Sequence, residues 1–345
     1  MKKYISLFIT KLLFGFNFNR KILKTHLILT KNNMVEKSIN DLKDVLEEHL
    51  AKKKDQNLFM NYELSLSQYI FKNLINNKFF NIKLIFEKCF FEKFYYPLPL
   101  ECLKIIEKKG FKVNFFYSKI LWYGLIFTSI VLFFFTTLIR LFIKQNKSFE
   151  DQESTVIYLN AMPNIESNNE SSNLQDFYSW FVNFFLEKKK IKNKIIYIHE
   201  NKAIKDTIKK LNNNTFYEIK YFENFLFRNF NRYLFIQSVK EAILLISKIG
   251  LDKILILDEI IKYNYLLKNK KNQPEYALFN MSNMTFQPLW SKIKNKNDEY
   301  IDFMFYYSTN IIPLVENPEL VSNVYGYRLH SWKNYIFWNE NQKNW

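Results

Sequence analysis

The chain has 345 residues, 50 Lys and Arg against 33 Asp and Glu, a net charge of +17, and 48% hydrophobic with 19% aromatic content. That apolar content excludes a disordered chain, and the length allows one large domain or two ordinary ones. The positive surface favours anionic partners such as lipid headgroups or nucleotide phosphates, although codon bias toward Lys, Asn, Ile and Phe accounts for part of it. Two cysteines, Cys89 and Cys102, supply neither a metal nor a disulfide framework and read as buried thiols. The five glycines (Gly15, Gly110, Gly124, Gly250 and Gly326) are too few and too scattered for a GxGxxG turn or a P-loop. No cofactor is expected, and no metal.

Residues 1–16 combine a basic start with a short apolar run, but no small-residue cleavage site follows, so an ordinary N-terminal helix is expected. Residues 35–54 place Leu42, Val45, Leu46 and Leu50 on one side of an amphipathic helix. Helical pattern continues over 62–74 and 82–94 and breaks at Pro97-Leu98-Pro99. A helix over 100–109 then ends at Gly110, after a lysine-rich last turn. Residues 121–139, LWYGLIFTSIVLFFFTTLI, carry no charge and are close to the ~20 residues that span a bilayer. Lys119 and Arg140 bracket the run, and Trp122 and Tyr123 sit where interfacial anchors belong. Lysines on both sides leave the topology open between a span and a helix dipping into one leaflet; a buried core helix is the soluble alternative.

Beyond a polar break at 145–153 the period changes. Strands are expected at 155–160, 195–199, 216–221, 276–280, 301–307 and 335–338. Helices are expected at 174–189, 202–211, 223–249, 251–267 and 288–295. Strands alternating with helices imply βαβ units and a parallel, Rossmann-like sheet. The expected organisation is therefore α/β: a helical region over 1–117, a transmembrane or membrane-embedded helix over 118–144, and a Rossmann-like domain over 154–345.

Several blocks leave the generic pattern. They are PLPLECLKIIEKKGFKVN (97–114), SKILWYG (118–124), VIYLNAMP (156–163), DFYSWFVNF (176–184), ALFNMSNMTFQPLW (277–290), FMFYYSTN (303–310) and SWKNYIFWNENQ (331–342). In this order and spacing they resemble the bacterial surface polysaccharide biosynthesis proteins named for a PFTS motif, a glycosyltransferase-like family. The resemblance implies a GT-B architecture, in which a second Rossmann domain grips a nucleotide-sugar donor. The chain stops at Trp345, just after the last expected strand of the first domain. The expectation is thus the membrane-associated, acceptor-side half of such a protein, truncated or encoded as a split gene. Its implied place is the cytoplasmic face of the bacterial inner membrane. The implied partners are membrane lipid, a glycan or lipid-linked acceptor, and a separate donor-binding domain or chain.

Candidate ligand-binding residues cluster at strand ends, because ligands sit beyond the carboxyl ends of parallel strands. Asn280, Ser282 and Asn283 follow one strand, Ser308, Thr309 and Asn310 the next, and Asn160 the first. Their amides and hydroxyls suit hydrogen bonds to a sugar, while Asn and Ser also favour such loops for backbone reasons. His199, beside Glu200 at a strand end, is the candidate general base for an acceptor hydroxyl. Arg328 and His330 could contact phosphate or carboxylate. Trp290, Trp332 and Trp338 offer flat faces for sugar stacking, with core packing the plainer role. Asp258 and Glu259 are helix neighbours pointing apart, so they do not form a catalytic pair.

A non-catalytic membrane-docking subunit or remnant is the alternative. A nucleic-acid or ribosome-associated role fits less well, since the aromatics lie in apolar runs instead of interleaving with Lys and Arg, and no nucleic-acid partner is expected.

Overall fold

The computed structural model describes residues 33–52, 60–90, 92–142, 155–159, 194–198, 217–221, 236, 239–240, 242–244, 250–268, 276–281, 287–292, 301–306, 327–330, 332 and 334–336. The chain divides into two compact units. One comprises Met1–Leu132, Leu245–Ile256 and Ser322–His330, and the other Phe133–Leu244, Leu257–Val321 and Ser331–Trp345.

The first unit is helical. Helix α1 (Asn33–Lys52) buries Ile39, Leu42, Leu46 and Leu50, a stripe at helical spacing. Val45, expected on this side, is only half-buried, and Ile39 takes its place. Helix α2 (Met60–Ile70) passes into a wider π turn at Phe71–Ile75, closed by the Asn76 N–H donating to the Phe71 carbonyl at 2.7 Å. Leu64, Leu66, Ile70 and Phe71 are buried, and so are Ser65, Ser67 and Gln68, so α2 is the central helix of this unit.

Asn77 caps helix α3 (Lys78–Phe90), its side-chain oxygen accepting the Phe79 N–H at 3.0 Å. Phe80 of α3 meets Phe94 and Tyr96 edge-on, with ring centroids 5.7 and 5.6 Å apart. The buried Lys83 ammonium lies 3.4 Å from the centroid of the Tyr95 ring.

Helix α4 (Leu100–Lys108) starts after Pro99 and stops as its sequence dictates. The Gly110 N–H donates to Glu107, the Phe111 N–H donates to Ile106, and Gly110 takes a φ of +84°. These two bonds and the left-handed glycine are a Schellman ending. Cys102 on α4 is a buried thiol outside any disulfide. The chain next pairs Val113 with Phe94 in a single parallel bridge. Asn114 then caps the long helix α5 (Phe115–Phe142), which belongs to this unit as far as Leu132; the Asn114 side-chain oxygen accepts the Tyr117 N–H at 3.2 Å. A second tie holds the same end, where the Tyr96 N–H donates to the Ser118 hydroxyl at 3.2 Å.

Two later segments join this unit instead of the α/β region to which their sequence position assigned them. The 3₁₀ turn Leu251–Ile256 buries Ile254 and Ile256, and the Lys253 ammonium pairs with the Glu63 carboxylate of α2. The 3₁₀ turn Tyr327–Leu329 buries Leu329, whose carbonyl accepts from the Gln68 amide at 2.6 Å. Short apolar turns with satisfied backbone groups complete a core that α1 and α2 leave open.

The second unit holds a six-stranded parallel sheet: β1 (Thr155–Leu159), β2 (Lys194–Ile198), β3 (Tyr217–Tyr221), β4 (Tyr276–Met281), β5 (Ile301–Tyr306) and β6 (Asn334–Ile336). Its spatial order is β3-β2-β1-β4-β5-β6, with every described pair parallel. Each strand lies within two residues of its expected position at either end, since β-branched and aromatic runs bounded by polar residues locate it. Helix α6 (Leu257–Lys268) precedes β4. The helix expected at 288–295 is instead one 3₁₀ turn, Leu289–Lys292. It is fixed by the Ser291 N–H and hydroxyl, both donating to the Pro288 carbonyl at 3.1 and 2.8 Å. The helices expected at 174–189 and 202–211 lie outside the described residues, as do residues 1–32.

Candidate functional site

The sheet topology singles out one edge. From β1 the strand order runs outward through β2 and β3, and then resumes with β4 on the other side of β1. The order therefore reverses between β1 and β4, and in open parallel sheets such a reversal opens a crevice at the carboxyl ends of the two strands. Leu159, the last residue of β1, is in register with Leu278 of β4. Strand β4 thus runs past β1, and Asn280 lies in this overhang, in register with Phe305 of β5.

One side of this part of the sheet is packed. Phe279 and its register partner Met304 are fully buried. Trp290 and Trp332 lie against Phe279 with ring centroids 5.9 and 4.3 Å away, both nearly inaccessible. Neither indole is open for stacking on a sugar, and both act as core, the plainer of the two roles anticipated for them. They pack β4 through Phe279. Gln287, just before Pro288, is fully buried beside them in sequence.

Of the residues proposed from sequence, Asn280 therefore stands near the carboxyl end of β4, beside the reversal in strand order. Asn160, His199, Ser282, Asn283, Ser308, Thr309, Asn310 and Trp338 lie outside the described residues. By chain position, Asn160 follows the end of β1 directly, His199 the end of β2, and Ser282 the end of β4. Asp258 is exposed and Glu259 is turned to Lys262 at 3.0 Å, so the two carboxylates do not converge. Among the described residues no group of three His, Cys, Asp or Glu side chains could hold a metal ion.

Arg328 and His330 belong to the other unit, and Arg328 has structural partners there. The Arg328 guanidinium reaches Asp44 Oδ1 at 2.9 Å, and its backbone N–H donates to Glu47 Oε1 at 3.0 Å. His330 is buried. These contacts join the Tyr327–Leu329 turn to α1, as Gln68 joins it to α2. Sequence reasoning missed Asp44, Glu47 and Gln68. The available signal was Lys43 and Glu47, charged residues sharing the side of α1 that carries Leu42, Leu46 and Leu50, where a solvated face was not expected.

Residues 237–345 match the family model described as polysaccharide biosynthesis PFTS motif protein. The matched region holds β4, β5, β6 and the Trp290 and Trp332 packing, and it contains three of the blocks on which the resemblance was read. No curated protein and no solved structure matches the chain.

Proposed function

We propose that this chain, which belongs through residues 237–345 to the polysaccharide biosynthesis PFTS motif family, is a membrane-associated, glycosyltransferase-like protein. Its sheet would be a Rossmann-like, acceptor-binding domain of the GT-B kind. The family match carries the general reading, a role in polysaccharide biosynthesis. The strand order β3-β2-β1-β4-β5-β6 supports the Rossmann-like reading, because it is the order of doubly wound nucleotide-binding sheets.

The proposed chemistry rests on the residue types that follow β4 and β5 in the chain. In sugar transfer an acceptor hydroxyl attacks the anomeric carbon of a nucleotide sugar, a side-chain base takes the proton, and the nucleotide diphosphate departs. Residues 280–283 read Asn-Met-Ser-Asn, and 308–310 read Ser-Thr-Asn. Amides and hydroxyls at these strand ends suit the hydroxyls of a glycan or lipid-linked acceptor. His199 remains the proposed base. The donor would be a nucleotide sugar, held by a separate donor-binding domain or chain. The cytoplasmic face of the inner membrane is the proposed location.

The test is acceptor binding by the full chain in detergent, using glycan and lipid-linked saccharide probes. Asn280→Ala should weaken binding about 10-fold, the worth of roughly one hydrogen bond, with the circular dichroism unchanged. Binding that is absent in the unmodified chain, or indifferent to changes at 280–283 and 308–310, would remove the acceptor assignment.

A further inference from the structure

Helix α5 presents two different sides. Ser118, Trp122, Ile126 and Phe133 are buried and share one side. Phe116, Ile120, Tyr123, Phe127, Val131, Phe135 and Leu138 repeat every three or four residues on the other, and all are exposed, Phe116 and Phe127 by 70% and 67%. Residues Phe115–Thr136 are long and apolar enough to cross a membrane, and 17% of their most apolar window is buried. Three hydroxyls in the middle and later turns of α5 are spent on its own backbone: Thr128 donates to the Gly124 carbonyl, Ser129 to Leu125 and Thr136 to Phe133, at 2.8, 2.8 and 3.0 Å. A helix with its polar groups internally satisfied is suited to hydrocarbon.

The packing of the first unit restricts how such a helix can meet a bilayer. Residues before α5 and residues well after it share one core. Lys253 pairs with Glu63, Gln68 bonds the Leu329 carbonyl, and Arg328 bonds Asp44 and Glu47. If α5 crossed the bilayer once, these partners would stand on opposite sides of ~30 Å of hydrocarbon. A return crossing would have to lie between residues 143 and 249. There the longest run free of Asp, Glu, Lys and Arg is 154–165, well short of the ~20 residues needed, and it contains β1. A dip into one leaflet would need a turn at depth, and α5 is one unbroken 28-residue helix.

We infer that α5 lies in the plane of the membrane surface as a monotopic anchor, with its Phe116–Leu138 stripe among the acyl chains and both flanks on one side. This rests on, and sharpens, the membrane association proposed above. The neighbouring charge fits an anionic surface. Lys104, Lys108, Lys109, Lys112 and Lys119 are all exposed just before and within the first turns of α5, against exposed Glu101 and Glu107. Tyr117 and Tyr123, both exposed, sit at the same end, where aromatic rings favour the headgroup level.

Two measurements on the full chain test this. The first is flotation with phosphatidylglycerol-containing and pure phosphatidylcholine vesicles. Binding should be at least about 10-fold stronger to the anionic vesicles, as a few net lysine charges near the surface imply. Phe127→Asp, at an exposed position that leaves the core intact, should reduce it about 10-fold or more, and Lys104→Gln with Lys108→Gln should abolish the lipid preference. The second is labelling by a membrane-impermeant maleimide in inside-out and right-side-out vesicles from expressing cells. The probes are Lys104→Cys or Leu251→Cys in a Cys89→Ser background, with the buried Cys102 as the silent control. Both positions should react in the same vesicle orientation and be protected in the other. Labelling in opposite orientations would make α5 a span, overturning the in-plane anchor while leaving membrane association standing. Failure to float with any vesicle, or self-association that Phe127→Asp abolishes without vesicle binding, would overturn the anchor and the membrane reading together.

Discussion

At Glu47 a carboxylate with 1% of its surface exposed accepts the backbone N–H of Arg328, 281 residues away in the chain. Removing it strands a backbone donor and empties a polar position in the core, so Glu47→Ala should cost about 1–3 kcal/mol. The Arg328–Asp44 ion pair next to it is 45% and 39% exposed at its two side chains. Solvent screening and side-chain entropy leave such a pair worth about 0–1 kcal/mol, so Arg328→Ala should be mild. Urea denaturation of both variants separates the two effects, and equal losses would show that the backbone contact does not hold the Tyr327–Leu329 turn. Sequence alone does not announce this contact, because its partners lie so far apart. Arg328 and His330 stood out as candidates to contact phosphate or carboxylate, whereas Arg328 is engaged by Asp44 and Glu47 and His330 is buried.

At the level of elements, the local signals in the chain were legible wherever the deciding contacts are local. Gly110 after a lysine-rich turn marked the end of α4, and its φ of +84° with two backbone bonds matches that reading. No atom lies within 4 Å of a Cβ built there, so Gly110→Ala meets no clash and carries the backbone cost alone. That cost should be about 1–2 kcal/mol, read as a lowered urea midpoint with an unchanged slope. The strands were legible too, since runs such as TVIYL and IDFMFY are β-branched and aromatic. The helix expected at 288–295 was not, because the Pro288 carbonyl captures the Ser291 amide and hydroxyl and the indole of Trp290 is committed to Phe279. The turn Leu251–Ile256 shows the same override. Its pattern continues the helical period of α6, but Lys253 is drawn to Glu63. Tertiary partners outweigh propensity in both places.

For the whole molecule, domain boundaries proved the least legible feature, for a topological reason. Residues 154–345 read as a single α/β domain, yet Leu245–Ile256 and Ser322–His330 fold with the N-terminal helices. A chain that returns twice to its first unit cannot be cut by composition, because each return is a short apolar turn resembling its neighbours. Of the candidate site, the sequence made legible the strand ends on which it would be built. The strand order reverses between β1 and β4, and Asn280 lies near the carboxyl end of β4. The other strand-end candidates, Asn160, His199, Ser282, Asn283, Ser308, Thr309 and Asn310, lie outside the described residues.

The central claim is a role in polysaccharide biosynthesis, and the most direct test is the composition and length of the polysaccharide made by cells lacking this gene and by cells complemented with it. A missing sugar or a shortened chain, restored by the intact gene and not by a variant with alanine at 280, 282 and 283, is the predicted result. Polysaccharide identical in amount, composition and length in all three strains would contradict the account.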